Sequence, residues 1–423
     1  MLTVRDRSRR ALALLGVGVL LVAACSSDDD DSGGAGDDGG TTAADLAKAL
    51  GPEDAAAGDP VVVGYVYDGT TDVIDNAAEL AGAEAAVEYV NQYLGGVAGR
   101  PLELDVCSTD QTPSGAADCV TQMVTDEVAI VLNGVTGQSA VLFPPLAEAG
   151  VPVFTPGTGD QDSLFTPGIY IMGNGILSLL AGPAKLAADA GVDRAAIVVI
   201  DVPAASGVLE EAAPLFYDQV GVEVDVVTIP PETPDMTPNI AAELANDPGQ
   251  FAVVGDPAFC AKALNALVGA SFDGRVMIIP QCMDAALRES ATNLEGVEMT
   301  TFTTTDPDSE EFQLYDAVME TYADANVDRG GTAPSGYQAV LGFARAMAGL
   351  TGEVTPETVQ AALAAMPPTP MPLADGITYQ CNGQQVSLGP NICSTDVLQT
   401  ELDAEGNAKE YTVLEGASVL DLG

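Results

Sequence analysis

The chain contains no histidine and no tryptophan, and it has few basic residues. Its 423 residues include 14 lysines and arginines against 62 aspartates and glutamates, which gives a formal net charge of −48 at pH 7. Without histidine, Ser-His-Asp and Cys-His catalysis are excluded, as is any metal site that needs imidazole. So much negative charge would repel nucleic acid and anionic lipid surfaces. We therefore expect no nucleic-acid partner, no cofactor and no metal.

The amino terminus carries an export signal. Arginines at positions 5, 7, 9 and 10 precede an apolar run over residues 11–24 that is too short to span a membrane. This pattern predicts a signal peptide at residues 1–24. The sequence Leu-Val-Ala-Ala-Cys at residues 21–25 resembles the bacterial lipobox, so we expect Cys25 to be lipid-modified and to hold the protein at the outer face of the cell membrane. A buried Cys25 at the end of an uncleaved anchor is the alternative.

The composition changes after Cys25. Residues 25–59 are rich in Asp, Gly, Ser, Thr and Ala, and they contain few large apolar residues that could form a core. This composition predicts a lipid-anchored, flexible, acidic tether. The remaining chain, from residue 60 to residue 423, is long for one hydrophobic core and suits two domains.

Six further cysteines occur as three neighbouring pairs. Export favours disulfide formation, because the compartment outside the cytoplasm is oxidising. Six cysteines allow 15 connectivities. Proximity in the sequence favours Cys107–Cys119, Cys260–Cys282 and Cys381–Cys393.

Residues 128–159 repeat a pattern of strand, polar loop and helix. An apolar β-branched run at 128–132 is followed by a polar turn and an apolar helix, and a second strand at 151–154 leads into a loop of hydroxyls and glycines. Two parallel strands would place both loops at one sheet edge. Helix N-termini at such an edge offer free backbone N–H groups that attract anions. The two loops therefore predict one half of a small-molecule site.

Strands and helices alternate along most of the chain, which is typical of parallel sheets covered on both faces. Further strands are predicted at residues 61–67, 102–107, 195–200, 222–229, 251–255 and 275–279. Helices are predicted at residues 77–94, 175–190, 309–325 and 334–350. Two short alternating runs around residues 403–407 indicate a β-hairpin. The fold class is therefore α/β.

The stretch from Tyr89 to Gly159 resembles the type I periplasmic binding proteins. The resemblance rests on a strand and helix followed by Asn91 with Gly95-Gly96-Val97 and Gly99-Arg100-Pro101-Leu102, then a strand, Asp110 with Pro113, and an Ala-rich helix. It is closest to the branch that binds leucine, isoleucine and valine, amides and related molecules for ABC importers. It extends over residues 60 to about 302.

The resemblance implies two doubly wound parallel-sheet lobes, joined by a multi-strand hinge, that close on a ligand. Residues 60–174 with 304–372 would form lobe 1, and residues 175–303 with 373–423 would form lobe 2. The implied ligand is a small polar molecule, such as an amino acid, an amide or a small carboxylate. The implied partner is a membrane permease. We expect a monomer without catalytic activity that contacts the membrane only through its lipid.

Residue by residue, the resemblance places ligand contacts of lobe 1 in two loops. Thr136 falls where a hydroxyl usually binds the ligand carboxylate, with Gly137 at its side and Ser139 near the helix start. N-capping is the alternative for the hydroxyls, and it accounts equally well for Ser139. Gly157 and Thr158 match the second carboxylate-binding loop, although a tight turn explains them almost as well.

Further contacts follow other strands. At the end of the first strand, the family often places a side chain over the ligand, and the candidates there are Tyr67, Asp68 and Thr71, with an exposed turn as the alternative. In lobe 2, three candidates follow strands: Asp201, Asp256 and Gln281. Gln281 stands where an acidic residue typically pairs with an α-ammonium, and a carboxamide cannot neutralise a buried cation. Either Asp256 supplies that charge, or the ligand is an amide, a carboxylate without an amine, or an aromatic acid.

Three other functions remain open at this point. A ligand sensor for a signalling partner would use the same fold. An exported hydrolase with a Ser or Asp nucleophile is disfavoured by the lack of histidine and of a GxSxG motif. A structural envelope lipoprotein would bind no small solute.

Overall fold

The β-branched runs of the sequence form the strands of two separate β-sheets in a computed structural model of the chain. The model describes residues 42–71, 75–173, 176–386 and 389–416, without the side chains of residues 176–179, 203, 204 and 208. The expected signal peptide, Cys25 and the first part of the expected tether lie outside the described residues. No helix in the described part of the chain is long and apolar enough to cross a membrane.

Fourteen strands and twelve α-helices lie within the described residues. The strands are β1 (Val61–Tyr67), β2 (Leu102–Ser108), β3 (Val131–Leu132), β4 (Val153–Thr155), β5 (Ile169–Ile171), β6 (Arg194–Ile200), β7 (Glu223–Ile229), β8 (Gln250–Val254), β9 (Arg275–Ile278), β10 (Glu298–Thr301), β11 (Thr369–Pro370), β12 (Thr378–Tyr379), β13 (Val397–Glu401) and β14 (Thr412–Leu414). The helices are α1 (Ala43–Leu50), α2 (Ala77–Tyr93), α3 (Pro113–Thr125), α4 (Ser139–Glu148), α5 (Ile176–Asp189), α6 (Pro203–Gln219), α7 (Thr237–Leu244), α8 (Pro257–Gly269), α9 (Ala285–Ser290), α10 (Glu310–Tyr322), α11 (Ala333–Ala346) and α12 (Pro356–Ala365).

Each lobe is built on one sheet. The first sheet has the strand order β2-β1-β3-β4-β5, and all its pairs are parallel. The second has the order β14-β13-β10-β9-β8-β6-β7, in which β6 to β10 are parallel and the β13–β14 hairpin is antiparallel. The α/β fold with two doubly wound lobes is therefore confirmed, as is the hairpin around residues 403–407.

Alternation along the strands buries both faces of each sheet. In β1, Val63 and Tyr65 pack with α2 and α11, whereas Val66 faces the opposite side with Met123 of α3. In β6, even-numbered residues from Ala196 to Ile200 enter one cluster and odd-numbered residues from Ala195 to Val199 enter another. A strand with two buried faces has no polar side to show, which explains the continuous apolar runs in the sequence.

Residues 25–59 were predicted to be a flexible tether, but part of this segment, Ala43–Leu50, forms helix α1. Thr42 and Asp45 form a capping box at its start, and Leu46 and Leu50 pack against the first-lobe core, with Leu50 buried. Two leucines four residues apart share one helix face, so even a short helix can bury them. The average composition of the segment conceals this local signal.

The segment after residue 373, which the resemblance assigned to lobe 2, also contacts the first-lobe core. Tyr379 is buried in the first-lobe core, and its hydroxyl donates a hydrogen bond to the carbonyl of Gly342 in α11. Cys381 and Cys393 belong to the same core. Val386 and Ile392, which lie between these cysteines, are buried in the cluster that contains Ile197 of β6.

The three predicted disulfides are present. Cys107–Cys119 links β2 to α3, Cys260–Cys282 links α8 to the short 3-10 helix after β9, and Cys381–Cys393 closes the loop after β12.

Candidate ligand-binding site

The loops that follow β1, β2, β3 and β4 lie at the carboxyl edge of the first sheet, because these strands are parallel. The loop after β3 is hydrogen-bonded to β1 and to the loop after β2: the Asn133 side chain donates to the carbonyl of Val66 at 2.7 Å, and Gln138 Nε2 donates to the carbonyl of Gln111 at 3.3 Å. The loops after β1, β2 and β3 meet around one residue, Asp68.

Asp68 is the hydrogen-bonding centre of this edge. It is 6% exposed and follows β1 directly. Its Oδ1 accepts from the hydroxyls of Thr109 at 2.7 Å and Thr136 at 2.6 Å, and its Oδ2 accepts from the backbone N–H of Gly137 at 2.8 Å. Of the predicted site residues, the structure thus joins Asp68, Thr136 and Gly137 by direct contact. Thr136 and Gly137 both donate hydrogen bonds to the carboxyl group of Asp68.

Thr136 has both its hydrogen-bonding functions in use. Its hydroxyl donates to Asp68, and its oxygen accepts from the backbone N–H of Gln138 at 3.0 Å. The N-cap of α4 is Gln138, and no side chain caps this helix. The alternative that Thr136 or Ser139 caps α4 is therefore wrong. Ser139 is buried as the first residue of the helix.

Glu79 is a buried carboxylate that the sequence interpretation missed. It lies on α2 with no exposed surface, and its Oε1 accepts from the Tyr65 hydroxyl at 3.0 Å and from the N–H groups of Gly134 and Val135, each at 3.1 Å. Burial raises the pKa of Glu79 to about 7, against the lowering by these hydrogen bonds, and the nearby charge of Asp68 raises it slightly further. An acidic residue in the first turn of a helix of mostly small and apolar residues is the signal that was overlooked.

Three buried side-chain atoms at this edge have no hydrogen-bond partner among the described residues. They are Glu79 Oε2, Asn133 Oδ1 and Gln111 Nε2. Gln111 and its neighbour Asp110 also have positive φ angles of 57° and 47°, which are strained for residues other than glycine. Unpaired buried polar atoms and backbone strain concentrate at binding sites. Neither Asn133 nor Gln111 was predicted.

We call Asp68, Thr109, Thr136 and Gly137, together with the neighbouring Asn133 and Gln111, the Asp68 cluster. The other predicted residues of lobe 1 lie on the same edge but outside this cluster. The Tyr67 side chain is half-buried, and burial together with the carboxylates around it raises its pKa. Thr71 follows on the same loop and is half-buried. In the loop after β4, Thr158 accepts from the N–H of Asp160 at 3.1 Å, and Gly157 donates to the Thr155 hydroxyl at 3.3 Å. These are the contacts of a tight turn.

The predicted residues of lobe 2 are exposed on three loops at the carboxyl edge of the second sheet. Asp201 accepts from the Ser206 hydroxyl at 3.3 Å, and Asp256 is the N-cap of α8, accepting from the N–H of Phe259 at 2.9 Å. Gln281 lies in the 3-10 helix Pro280–Cys282. No hydrogen bond within the described residues joins these three to the first-lobe cluster. A capping role accounts for Asp256 without a ligand, although an exposed cap remains accessible to one.

Three arginines lie at the opposite edges of the sheets. Arg100 donates to the carbonyls of Asp59 and Pro60 just before β1, and Arg194 and Arg275 begin β6 and β9, so all three lie at the amino edges of the sheets. Loops at the carboxyl edges instead carry aspartates. The charged side chains within these loops are all acidic.

A family model described as "periplasmic binding protein" matches residues 60–388. The chain belongs to this family. Its members are receptors that bind solutes outside the cytoplasm and catalyse no reaction, so this protein is a solute-binding protein and not an enzyme. No protein among the curated sequences matches the chain.

Solved structures share the fold at low sequence identity. A putative branched-chain amino acid ABC transporter protein from Rhodospirillum rubrum is similar with a TM-score of 0.69 and 18% identity, covering 84% of this chain and 100% of that one. LivJ from Streptococcus pneumoniae in complex with isoleucine has a TM-score of 0.62 and 16% identity, covering 84% and 99%. A Leu-, Ile-, Val-, Thr- and Ala-binding protein from Brucella ovis, in a closed conformation, has a TM-score of 0.69 and 13% identity, covering 86% and 97%. These likenesses support the fold of the solute-binding protein.

Proposed function

We propose that this protein is the solute receptor of an ABC importer, anchored to the outer face of the cell membrane through Cys25. A small polar solute would bind between the two lobes, contacted by loops at the carboxyl edges of both sheets. The lobes would close on it by hinge motion, and a membrane permease would recognise the closed form. Two of the similar proteins are named as binding isoleucine or leucine, isoleucine, valine, threonine and alanine, so these are the first solutes to test.

The observation that carries the proposal is the Asp68 cluster. It combines a buried carboxylate, the Thr136 hydroxyl and unpaired polar atoms of Asn133 and Gln111 at a sheet edge where ligands of open α/β sheets bind. Converging polar groups of this kind fix the orientation of a small ligand. Asp201, Asp256 and Gln281 would contact the ligand from the second lobe, together with Tyr67, Thr71, Gly157 and Thr158 from the first.

A thermal-shift screen of the full-length protein tests the receptor function. Amino acids, amides, amines, short-chain acids and sugars would be added singly, and a solute that binds the folded state raises the melting temperature. A shift confined to one chemical class supports the proposal. The absence of a shift with every solute would contradict it.

Site placement is tested by calorimetric titration of Thr136→Val with the solute identified in that screen. This change removes the hydroxyl that orders Asp68, so we expect affinity to fall at least about tenfold, as for loss of one charge-assisted hydrogen bond. Thr121→Val is the matched control, since this exposed threonine on α3 bonds only to the carbonyl of Ala117. Equal affinities in the two variants would place the ligand elsewhere.

The lipid anchor is tested by Cys25→Ser. If Cys25 carries the lipid, the variant should leave the membrane fraction and lose metabolic labelling by a fatty acid. Retention of both would contradict the anchor while leaving the solute-binding function intact.

A further inference from the structure

Backbone and hydroxyl donors in the loop after β3 are directed at carboxylates of the protein itself. The N–H groups of Gly134 and Val135 donate to Glu79, whereas the Thr136 hydroxyl and the Gly137 N–H donate to Asp68. The Gln138 N–H donates back to Thr136. Four consecutive residues thus each donate a hydrogen bond to one of two carboxyl groups of the protein, those of Glu79 and Asp68.

This arrangement removes Thr136 and Gly137 as donors to a ligand carboxylate. A carboxylate accepts several hydrogen bonds, and it must receive them when it is removed from water. Thr136 and Gly137 stand where the family resemblance places those donors, yet both already serve Asp68. A ligand carboxylate at this loop would also lie beside the buried charge of Asp68, with no lysine or arginine in the adjoining loops to offset the repulsion.

Two acceptor positions at the same edge lack a partner within the described part of the chain, one on Asn133 and one on Asp68. Asn133 has no exposed surface, and its Oδ1 has no partner among the described residues. The Asn133 amide is oriented by its Nδ2, which donates to the carbonyls of Val66 and Val135. Asp68 accepts three hydrogen bonds of the roughly four that a carboxylate can accept, so one acceptor position remains. One unpaired donor, Gln111 Nε2, is present. Such a set matches a ligand that brings N–H donors.

The facing loops carry the same sign of charge. Asp201 and Asp256 are exposed at the carboxyl edge of the second sheet, and Asp284, another exposed N-cap, begins α9 just beyond β9. Their local partners are hydroxyl or N–H groups, not cations. A cation entering between the lobes would therefore meet carboxylates on both sides.

We propose that the solute is an organic cation, with an ammonium, amidinium or guanidinium group that donates N–H bonds to Asp68, and that it carries no carboxylate. This inference rests on the proposed receptor function and narrows it to one chemical class. It departs from the branched-chain amino acids named for the similar structures, all of which bring a carboxylate.

The test compares compounds that differ only by a carboxylate. Calorimetric titration of the full-length protein would use lysine against cadaverine, ornithine against putrescine, arginine against agmatine, and leucine against 3-methylbutylamine. In at least one pair, we expect the decarboxylated member to bind at least tenfold more tightly. If the amino acid binds as tightly as its decarboxylated partner, or more tightly, in every pair, the inference is overturned and the receptor function stands. The same conclusion follows if only neutral or anionic solutes bind in the wider screen. A wide screen without any ligand would overturn the receptor function as well.

A variant locates the cation within the protein. Asp68→Asn keeps the side-chain shape but removes the charge, so affinity for the best amine should fall at least tenfold. Asp160→Asn is a matched control, because Asp160 is also an aspartate on this edge and bonds only locally, to Ser163. Unchanged amine affinity in Asp68→Asn would overturn the role of Asp68. The paired titrations use the unaltered chain, so they decide the ligand class even if Asp68→Asn does not fold.

Discussion

The Tyr65 hydroxyl donates to Glu79 Oε1 at 3.0 Å, and neither side chain has exposed surface. The bond joins β1 to α2 beneath the loop after β3, whose two N–H groups bind the same oxygen. Because burial raises the pKa of Glu79 to about 7, this carboxyl is partly protonated in the folded protein near neutral pH.

Stability should therefore depend on pH through Glu79. Its folded pKa lies above the unfolded value of 4.5, so the folded state binds the proton more tightly, and the free energy of unfolding should fall as pH rises from 4.5 to about 7. The full effect is about 3 kcal/mol. In Glu79→Gln this component is absent. Urea unfolding should find the variant close to wild type at pH 5 and more stable by about 2 kcal/mol at pH 8.

Other buried acids titrate in both proteins and cancel in the difference between them. Parallel curves of unfolding free energy against pH would show that Glu79 does not titrate in this range.

The contact between α2 and α11 should not tolerate a methyl group at Gly336. A Cβ there would lie 1.9 Å from the carbonyl oxygen of Glu79, so the two helix backbones would have to separate. We expect Gly336→Ala to lower the free energy of unfolding by about 2–3 kcal/mol. Gly207→Ala is the control, since Gly207 is exposed within α6 and has open space around it. That change should be neutral or stabilise by up to about 1 kcal/mol; similar losses in both would contradict the packing argument.

Asn91 should contribute to stability and not to ligand affinity. Its amide bonds twice to the backbone of Leu102, donating to the carbonyl at 2.9 Å and accepting from the N–H at 2.7 Å, in a half-buried position. Asn91→Ala should cost about 2 kcal/mol in urea unfolding, because it leaves backbone groups at the start of β2 unpaired. Asn265 is also half-buried, but its hydrogen bonds to the backbone of Ser290 and to Thr292 are exposed to solvent, so Asn265→Ala should cost less. An equal cost would mean that burial is not the deciding factor.

Asp256 allows capping and binding to be separated. Asp256→Asn keeps an N-cap side chain for α8 but removes the charge, whereas Asp256→Ala removes both. We expect Asp256→Asn to leave the melting temperature nearly unchanged and to lower the affinity for the solute by about tenfold, as for the loss of one charge-assisted hydrogen bond. Ala should also lower stability by about 1 kcal/mol. If Asn leaves affinity unchanged, Asp256 serves only as a cap.

Much of the fold could be predicted from apolar periodicity, because strands buried on both faces and long helices leave strong local patterns. Helix α2 begins at the predicted residue, and β1 has the predicted bounds. The strand predicted at residues 128–132 is shorter, since only Val131 and Leu132 pair with neighbours. Helix α1 was missed because one capping box and two leucines stand within an otherwise polar segment.

The candidate site could be predicted only in part. The loops follow from strand order, so Thr136 and Asp68 were both placed on the correct edge. The hydrogen bond between them joins residues 68 positions apart, and no local sequence pattern indicates which donor will pair with which acceptor over such a distance. Sequence likeness assigned the Thr136 hydroxyl to a ligand, whereas the three-dimensional arrangement of β1 and β3 directs it to Asp68.

Each of the three disulfides joins elements of a single lobe. Their spans are 12, 22 and 12 residues. Oxidation therefore cross-links elements within each half and does not tie one half to the other. A reducing environment should weaken the halves while leaving the mechanical coupling between them as it was.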